Sequence, residues 1–124
     1  MEGEPVHIYN HGDMKRDFTY IDDVVKGILE VLVKPPETGD GKTPHRVYNI
    51  GNNRAEKLLD FVEIIEETLG VEAKRELLPM QPGDIKETYA DIDPIHRDVG
   101  YEPATSLEVG LPKFVKWYQE YCKD

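Results

Sequence analysis

The residues in this chain best suited to chemistry are an arginine and an aspartate far apart in sequence. Arg16 stands in Lys15-Arg16-Asp17-Phe18-Thr19-Tyr20-Ile21-Asp22-Asp23, where an extended run turns into a helix. A guanidinium beside a helix start suits a diphosphate, because its planar fork grips two oxygens while first-turn amides point the same way. From the arginine alone, an ion pair with Asp17 or Asp22 is the simpler reading. Asp84 closes Pro79-Met80-Gln81-Pro82-Gly83-Asp84, a proline-bounded turn in which Gly83 frees the backbone. A carboxylate presented there can accept hydrogen bonds from two vicinal hydroxyls, as on a ribose. Taken by itself, the turn more simply reads as an Asx turn, its carboxylate bonded to backbone two residues on.

Other candidates carry less. His7 and His11 are four apart, but a strand and turn intervene where a metal site wants that spacing on a helix. Asp22-Asp23 reads as a helix cap with its neighbour rather than a paired acid site. Gly39-Asp40-Gly41-Lys42 lacks the glycine spacing and the following helix of a phosphate loop. Trp117, Tyr118 and Tyr121 fall at helical spacing and read as core. No metal site is expected.

The elements that must position these residues alternate between strand and helix. Val6-His7-Ile8-Tyr9-Asn10 has strand periodicity and should end near His11-Gly12. Residues 18–21 form a second extended piece, and Asp22 or Asp23 caps a helix over residues 23–33. That helix is apolar on nearly every side, the pattern of one buried between layers. Pro35-Pro36 stops it, and a polar loop runs to Pro44. Arg46-Val47-Tyr48-Asn49-Ile50 reads as a strand entering the turn Gly51-Asn52-Asn53. Leu58, Val62, Ile65 and Leu69 mark a helix closed by Gly70. Residues 71–78 form a strand and residues 88–91 a brief extended segment. Asp93-Pro94 caps and opens a short helix ending by Gly100. Thr105-x-x-Glu108 is a capping box for a last helix with one face of Leu107, Leu111, Phe114, Tyr118 and Tyr121, and Pro112 should kink it. The order specifies a mixed α/β fold.

Composition narrows the function classes. The chain has 124 residues, a formal net charge of −10 and one cysteine. That charge disfavours nucleic acid and anionic membrane surfaces, and makes Lys15-Arg16 the best placed cation cluster for a phosphate ligand. No apolar run approaches the roughly 20 residues that span a bilayer, and the start has no signal-peptide pattern. A lone Cys122 cannot form an internal disulfide, fits a reducing cytosol, and reads as inert.

The blocks then come together as one pattern. Tyr9-Asn10-His11-Gly12, the Lys15–Asp23 run, Tyr48-Asn49-Ile50-Gly51-Asn52, Leu78-Pro79-Met80-Gln81-Pro82-Gly83-Asp84, Thr88-Tyr89-Ala90-Asp91 and Phe114-Val115-Lys116-Trp117-Tyr118 occur in this order. They resemble the C-terminal part of bacterial and plant UDP-glucuronate 4-epimerases, nucleotide-sugar epimerases of the extended short-chain dehydrogenase/reductase family. The resemblance covers residues 4–121. It implies the substrate-binding portion of a Rossmann-type enzyme that interconverts UDP-glucuronate and UDP-galacturonate for surface polysaccharide synthesis in the cytoplasm. A tightly held NAD removes and returns the C4 hydride in such enzymes, assisted by the tyrosine of Tyr-x-x-x-Lys.

What the resemblance implies for residues is specific. Arg16 would contact the UDP diphosphate and Asp84 the uridine ribose, while Tyr9 lies on the strand that packs near the uracil. Gln81 stands where the wider epimerase pattern often has a second phosphate-binding arginine, a departure that leaves only an amide to donate there. NAD and the catalytic groups belong to the N-terminal Rossmann half. This chain contains neither a dinucleotide loop nor Tyr-x-x-x-Lys, so no catalytic or cofactor-binding residue is expected in it.

The expected organisation of residues 1–124 is a segment, 4–54, that packs on that half, and a small UDP-sugar-binding lobe, 55–124. Alone, the apolar helix would expose several hundred Å², enough to drive association, so a homodimer, rearrangement or modest stability is expected. Two other readings stay open: a non-catalytic binding module built on the same fold, and a part of a dehydratase or of an epimerase for another sugar.

Overall fold

The computed structural model describes residues 3–37 and 43–122, so Gly39-Asp40-Gly41-Lys42 and most of the expected polar loop lie outside the described residues. In chain order the elements are β1 (Val6–Ile8), β2 (Lys15–Asp17), α1 (Ile21–Val33), β3 (Ala55–Lys57), α2 (Leu58–Leu69), β4 (Arg75–Leu77), α3 (Asp93–Val99) and α4 (Leu107–Tyr121). The fold is mixed α/β. Two compact units are each assembled from separate stretches: Met1–Arg16, Ala55–Thr88 and Ser106–Asp124 form the first, Asp17–Arg54 and Tyr89–Thr105 the second.

In the first unit β1 runs parallel to β4, with Val6, His7 and Ile8 opposite Arg75, Glu76 and Leu77. The pairing continues beyond both strands through Val6 N–H to Lys74 O (2.8 Å) and Leu78 N–H to Ile8 O (2.9 Å). The strand predicted to reach Asn10 stops at Ile8, because Asn10, His11 and Gly12 successively take left-handed φ of 49°, 52° and 84°. Asparagine tolerates that conformation, and its Nδ2 donates to Asp13 O at 2.7 Å. Glycine is required at position 12, where a Cβ would come within 2.8 Å of the Leu59 side chain. β2 and β3 pair separately. The strand expected over residues 71–78 is ordered as a ladder only at Arg75–Leu77. Arg75 grips the Glu66 carboxylate of α2, which also accepts Ala73 N–H at 3.0 Å. The Arg75 bond, followed by that amide, holds the Glu66 carboxyl below its usual range.

α2 follows its predicted periodicity, ends at Gly70 and packs on α4. α4 passes through Pro112, which lies early in the helix, and the expected capping box does not form. Its cap is Ser106, with no side-chain bond, while Thr105 gives its N–H to Asp23 in the second unit. The buried stripe of α4 is Leu107, Leu111 and Val115, successive turns of one face. Phe114, Trp117, Tyr118 and Tyr121 were expected inside and instead stand 47% to 71% exposed on another face.

In the second unit α1 packs on α3, and the core is Ile92, Ile95 and Tyr101, against which Val31, Tyr48, Ile50, Ala90 and Val99 close. α1 starts at Ile21 with Tyr20 as its cap, earlier than predicted. Asp22 and Asp23 therefore sit in the first turn, where the helix dipole favours them, and neither is the cap. Asp23 is 5% exposed and accepts Thr105 N–H at 2.9 Å. α1 leaves apolar residues uncovered, as expected of this helix in the chain alone: Ile21, Val25, Ile28, Leu29, Leu32 and Val33 are all exposed. Nor is Arg46–Ile50 a strand. It is extended chain without a ladder, fastened by Tyr48 Oη donating to Asp98 (2.9 Å) and Asn49 Nδ2 to Asp91 O (3.3 Å). α3 begins with Asp93 inside its first turn and closes at Gly100 as predicted.

Candidate functional site

Arg16 and Asp84 meet inside the first unit. Lys15 sets the backbone of β2 against the 86–88 segment, its N–H donating to Lys86 O (2.9 Å) and its carbonyl accepting Thr88 N–H (3.2 Å). Asp84 is delivered by a four-residue turn. Its N–H donates to Gln81 O at 3.1 Å, Pro82 takes the first corner and Gly83 the second at φ 83°. A proline followed by a positive-φ glycine is the signature of a type II turn. The expected Asx turn does not form; Asp84 Oδ1 accepts instead from the adjacent Ile85 N–H at 2.7 Å.

The guanidinium is fixed from three sides. Nη1 donates to Lys15 O (2.8 Å) and Lys86 O (3.3 Å), and Nη2 donates to Asp84 Oδ1 (2.9 Å). The partner is thus 68 residues away, rather than the neighbouring Asp17 or Asp22. Both side chains stay in touch with solvent, Arg16 at 24% and Asp84 at 30% exposure. An arginine has five N–H donors. Nε–H and one Nη2 hydrogen meet no acceptor among the described residues, and Asp84 Oδ2 likewise meets no donor there. The pair is held in place by backbone, with donors on Arg16 and an acceptor on Asp84 unused among the described residues.

Gln81 and Tyr9 belong to the same unit. Gln81 opens Asp84's turn with its side chain exposed. Tyr9, half-buried, follows directly on β1, beside the Leu78 backbone that leads into that turn. His7 makes a cross-strand pair with Glu76 (3.2 Å), and His11 stands exposed. No cluster of metal-ligating side chains occurs among the described residues. Cys122 is free and exposed. The contribution missed in the sequence is that of Lys86, whose backbone carbonyl orients Arg16; a carbonyl leaves no residue-type signal.

The second unit uses its carboxylates differently. Asp17 accepts Asn52 N–H at 2.7 Å on Oδ1, and Asn53 and Ala90 N–H at 3.1 and 2.9 Å on Oδ2. Tyr101, with no solvent exposure, donates its hydroxyl to Gly51 O at 2.9 Å. Burial, then the charges of Asp23, Asp17 and Glu30, push its phenol up to about 12.

Residues 1–51 match the NAD dependent epimerase/dehydratase family. The chain is 44% identical to Protein CapI of Staphylococcus aureus over 97% of its own length and 39% of that protein. It is 41% identical to UDP-glucuronate 4-epimerase 2 of Arabidopsis thaliana over 99% of itself and 31% of the relative. The crystal structure of the UDP-glucuronic acid 4-epimerase from Bacillus cereus, with UDP-glucuronic acid and NAD, superposes with a TM-score of 0.75 at 32% identity, covering 94% of this chain and 37% of that one. The chain thus spans about a third to two fifths of the length of the relatives it matches. It has the fold of the C-terminal portion of an extended short-chain dehydrogenase/reductase. Within that class it is similar to the nucleotide-sugar epimerases, the UDP-glucuronate 4-epimerases among them.

The residues described do not fit a dinucleotide. α1 to α4 are entered through Tyr20, Lys57, Ile92 and Ser106, none of them in a glycine-rich strand-to-helix turn. NAD is present in the relative's structure.

Proposed function

We propose that this chain supplies the substrate-binding part of a UDP-sugar 4-epimerase acting on UDP-glucuronate and UDP-galacturonate, in surface polysaccharide synthesis in the cytoplasm. Arg16 binds the diphosphate, Asp84 the ribose hydroxyls, Gln81 donates its amide toward phosphate, and Tyr9 borders the uracil. Segment 4–54 packs against a Rossmann half that holds NAD and the catalytic groups, and residues 55–124 build the UDP-sugar lobe. The chain alone does not turn over. The observation that carries this reading is the direct contact of Arg16 with Asp84, two side chains fixed by backbone on one side and open on the other.

The geometry supports a simple division of labour. An arginine already oriented by two carbonyls gives up little rotamer freedom when it takes a phosphate oxygen. Its bond to Asp84 keeps the carboxylate aimed, ready to accept from a cis-diol. In a chain of net charge −10, this local cation is what makes a diphosphate ligand tolerable. Calorimetric titration with UDP-glucuronate, UDP and uridine tests it. UDP and the UDP-sugar should bind alike and uridine far more weakly; equal binding of uridine and UDP would remove the diphosphate role from Arg16.

A further inference from the structure

A diphosphate carries more than one negative charge, and Arg16 supplies a single positive one. Gln81 adds only a neutral amide. Proximity in sequence offers Lys15, but neighbours on a strand point to opposite faces. Lys15 leaves β2 on the side away from Arg16 and pairs with Glu87 at 3.6 Å. Lys86 is placed differently. Its carbonyl accepts both Lys15 N–H (2.9 Å) and Arg16 Nη1 (3.3 Å), so its backbone is pinned against the guanidinium. From there a flexible four-carbon stem carries the ammonium.

That ammonium donates to Asp13 Oδ2 at 2.5 Å and makes no other bond among the described residues. The same two stretches of the first unit are thus joined by two cation–acid pairs, Arg16 with Asp84 and Lys86 with Asp13. Their surroundings differ. Arg16 and Asp84 are mostly buried and tied to backbone, whereas Lys86 and Asp13 are 61% and 71% exposed. A pair so open to water contributes little and exchanges readily. Asp13 itself is held in place. Its N–H donates to Asn10 O at 2.9 Å and its carbonyl accepts Asn10 Nδ2 at 2.7 Å, closing the left-handed turn of residues 10–12. The acid is fixed, the lysine is movable, and the lysine is rooted beside donors that Arg16 leaves unused.

Resting on the diphosphate reading above, we propose that Lys86 is the second cation of that site: its ammonium leaves Asp13 and takes a phosphate oxygen beside Arg16. Asp13 holds the ammonium between ligands and competes for it, which sets the affinity. The ligand class this favours is a nucleoside diphosphate or its sugar ester over a bare nucleoside.

Calorimetric titration of the full chain with UDP and with uridine tests the role of Lys86. Lys86→Met should weaken UDP binding by about fivefold, leave that of uridine where it is, and leave the circular dichroism unaltered. Asp13→Asn should strengthen UDP binding by about threefold, because the ammonium is released. Glu87→Gln removes the same charge from the neighbouring Lys15 pair and should leave UDP binding nearly unmoved. With Lys86→Met already present, Asp13→Asn should bring no gain, since the two residues act as one unit. Unchanged UDP affinity in Lys86→Met, a gain from Asp13→Asn that persists without Lys86, or an equal gain from Glu87→Gln would overturn the role of Lys86. Arg16→Ala separates this inference from the reading beneath it. If Arg16→Ala weakens UDP binding and Lys86→Met does not, only the second cation is wrong. UDP binding that neither variant weakens, or none by the unmodified chain in the millimolar range, removes the diphosphate site itself.

Discussion

Arg16 and Asp17 are consecutive residues whose side chains do opposite kinds of work in different units. Asp17 is consumed by architecture: three backbone amides from two later stretches converge on one carboxylate. Asp23 and Tyr101 are used the same way in that unit, each buried and bonded to a single backbone group. Arg16 is held by backbone on one edge only and keeps donors free on the other. Polarity alone does not distinguish a site from a scaffold. The distinction lies in whether hydrogen-bonding capacity remains after the fold has taken its share.

The largest effect that could break this comparison is on stability. Asp17→Ala should cost about 3 kcal/mol or more, since three amides lose a charged acceptor, and urea denaturation measures it; a change near zero would mean the amides are satisfied elsewhere. Arg16→Ala should show the converse. UDP binding should weaken by roughly 30-fold while stability falls by only about 1 kcal/mol. If both variants lost the same stability and no affinity, the two regions would not differ in kind.

The next test uses pH to separate the units. Tyr101 has its phenol raised from 10.0 to about 12 in the fold, so the folded state holds that proton more tightly than the unfolded chain. Its contribution is therefore complete below pH 10 and disappears as pH rises toward 12. Tyr101→Phe should cost about 1 kcal/mol at neutral pH, for the lost bond to Gly51, but should flatten the alkaline decline. An identical decline in the variant would show that Tyr101 is not its cause. Glu66 in the first unit behaves oppositely. Arg75 and the Ala73 amide lower its carboxyl below 4.5, so its contribution is present above that pH and is lost on acidification. The smallest expected effect is thus a gentler acid decline in Glu66→Gln, followed by thermal melting between pH 6 and 3; an unaltered decline would remove Glu66 from the acid response.

Some of this was legible in the residues. The periodicity of Leu58, Val62, Ile65 and Leu69, the glycines at 70 and 100, and the Gln81–Asp84 turn are local signals, and each element formed where local chemistry asked for it. Arg16 and Asp84 were legible as separate candidates and as family positions; their direct contact was not, because pairing across 68 residues leaves no local trace. Three local readings failed for one reason. Asp23 and Thr105 looked like caps of their own helices, but each had a stronger partner in the other, which capping patterns do not register. Arg46–Ile50 has strand composition without a strand partner among the described residues, and composition cannot supply the neighbour a ladder needs. The rings of α4 were read as core because hydrophobicity reports that a surface wants covering, not what covers it.

The most direct measurement of the central claim is an amide NMR titration of the ¹⁵N-labelled chain with UDP-glucuronate. Shifts should appear at Arg16 and from Gln81 to Ile85, with the amides of Asn52, Asn53, Ala90 and Thr105 unmoved, since those are spent on Asp17 and Asp23. A well-dispersed spectrum in which Arg16 and Asp84 ignore the ligand, or in which the Asp17 amides respond in their place, would contradict the assignment of the site to the first unit.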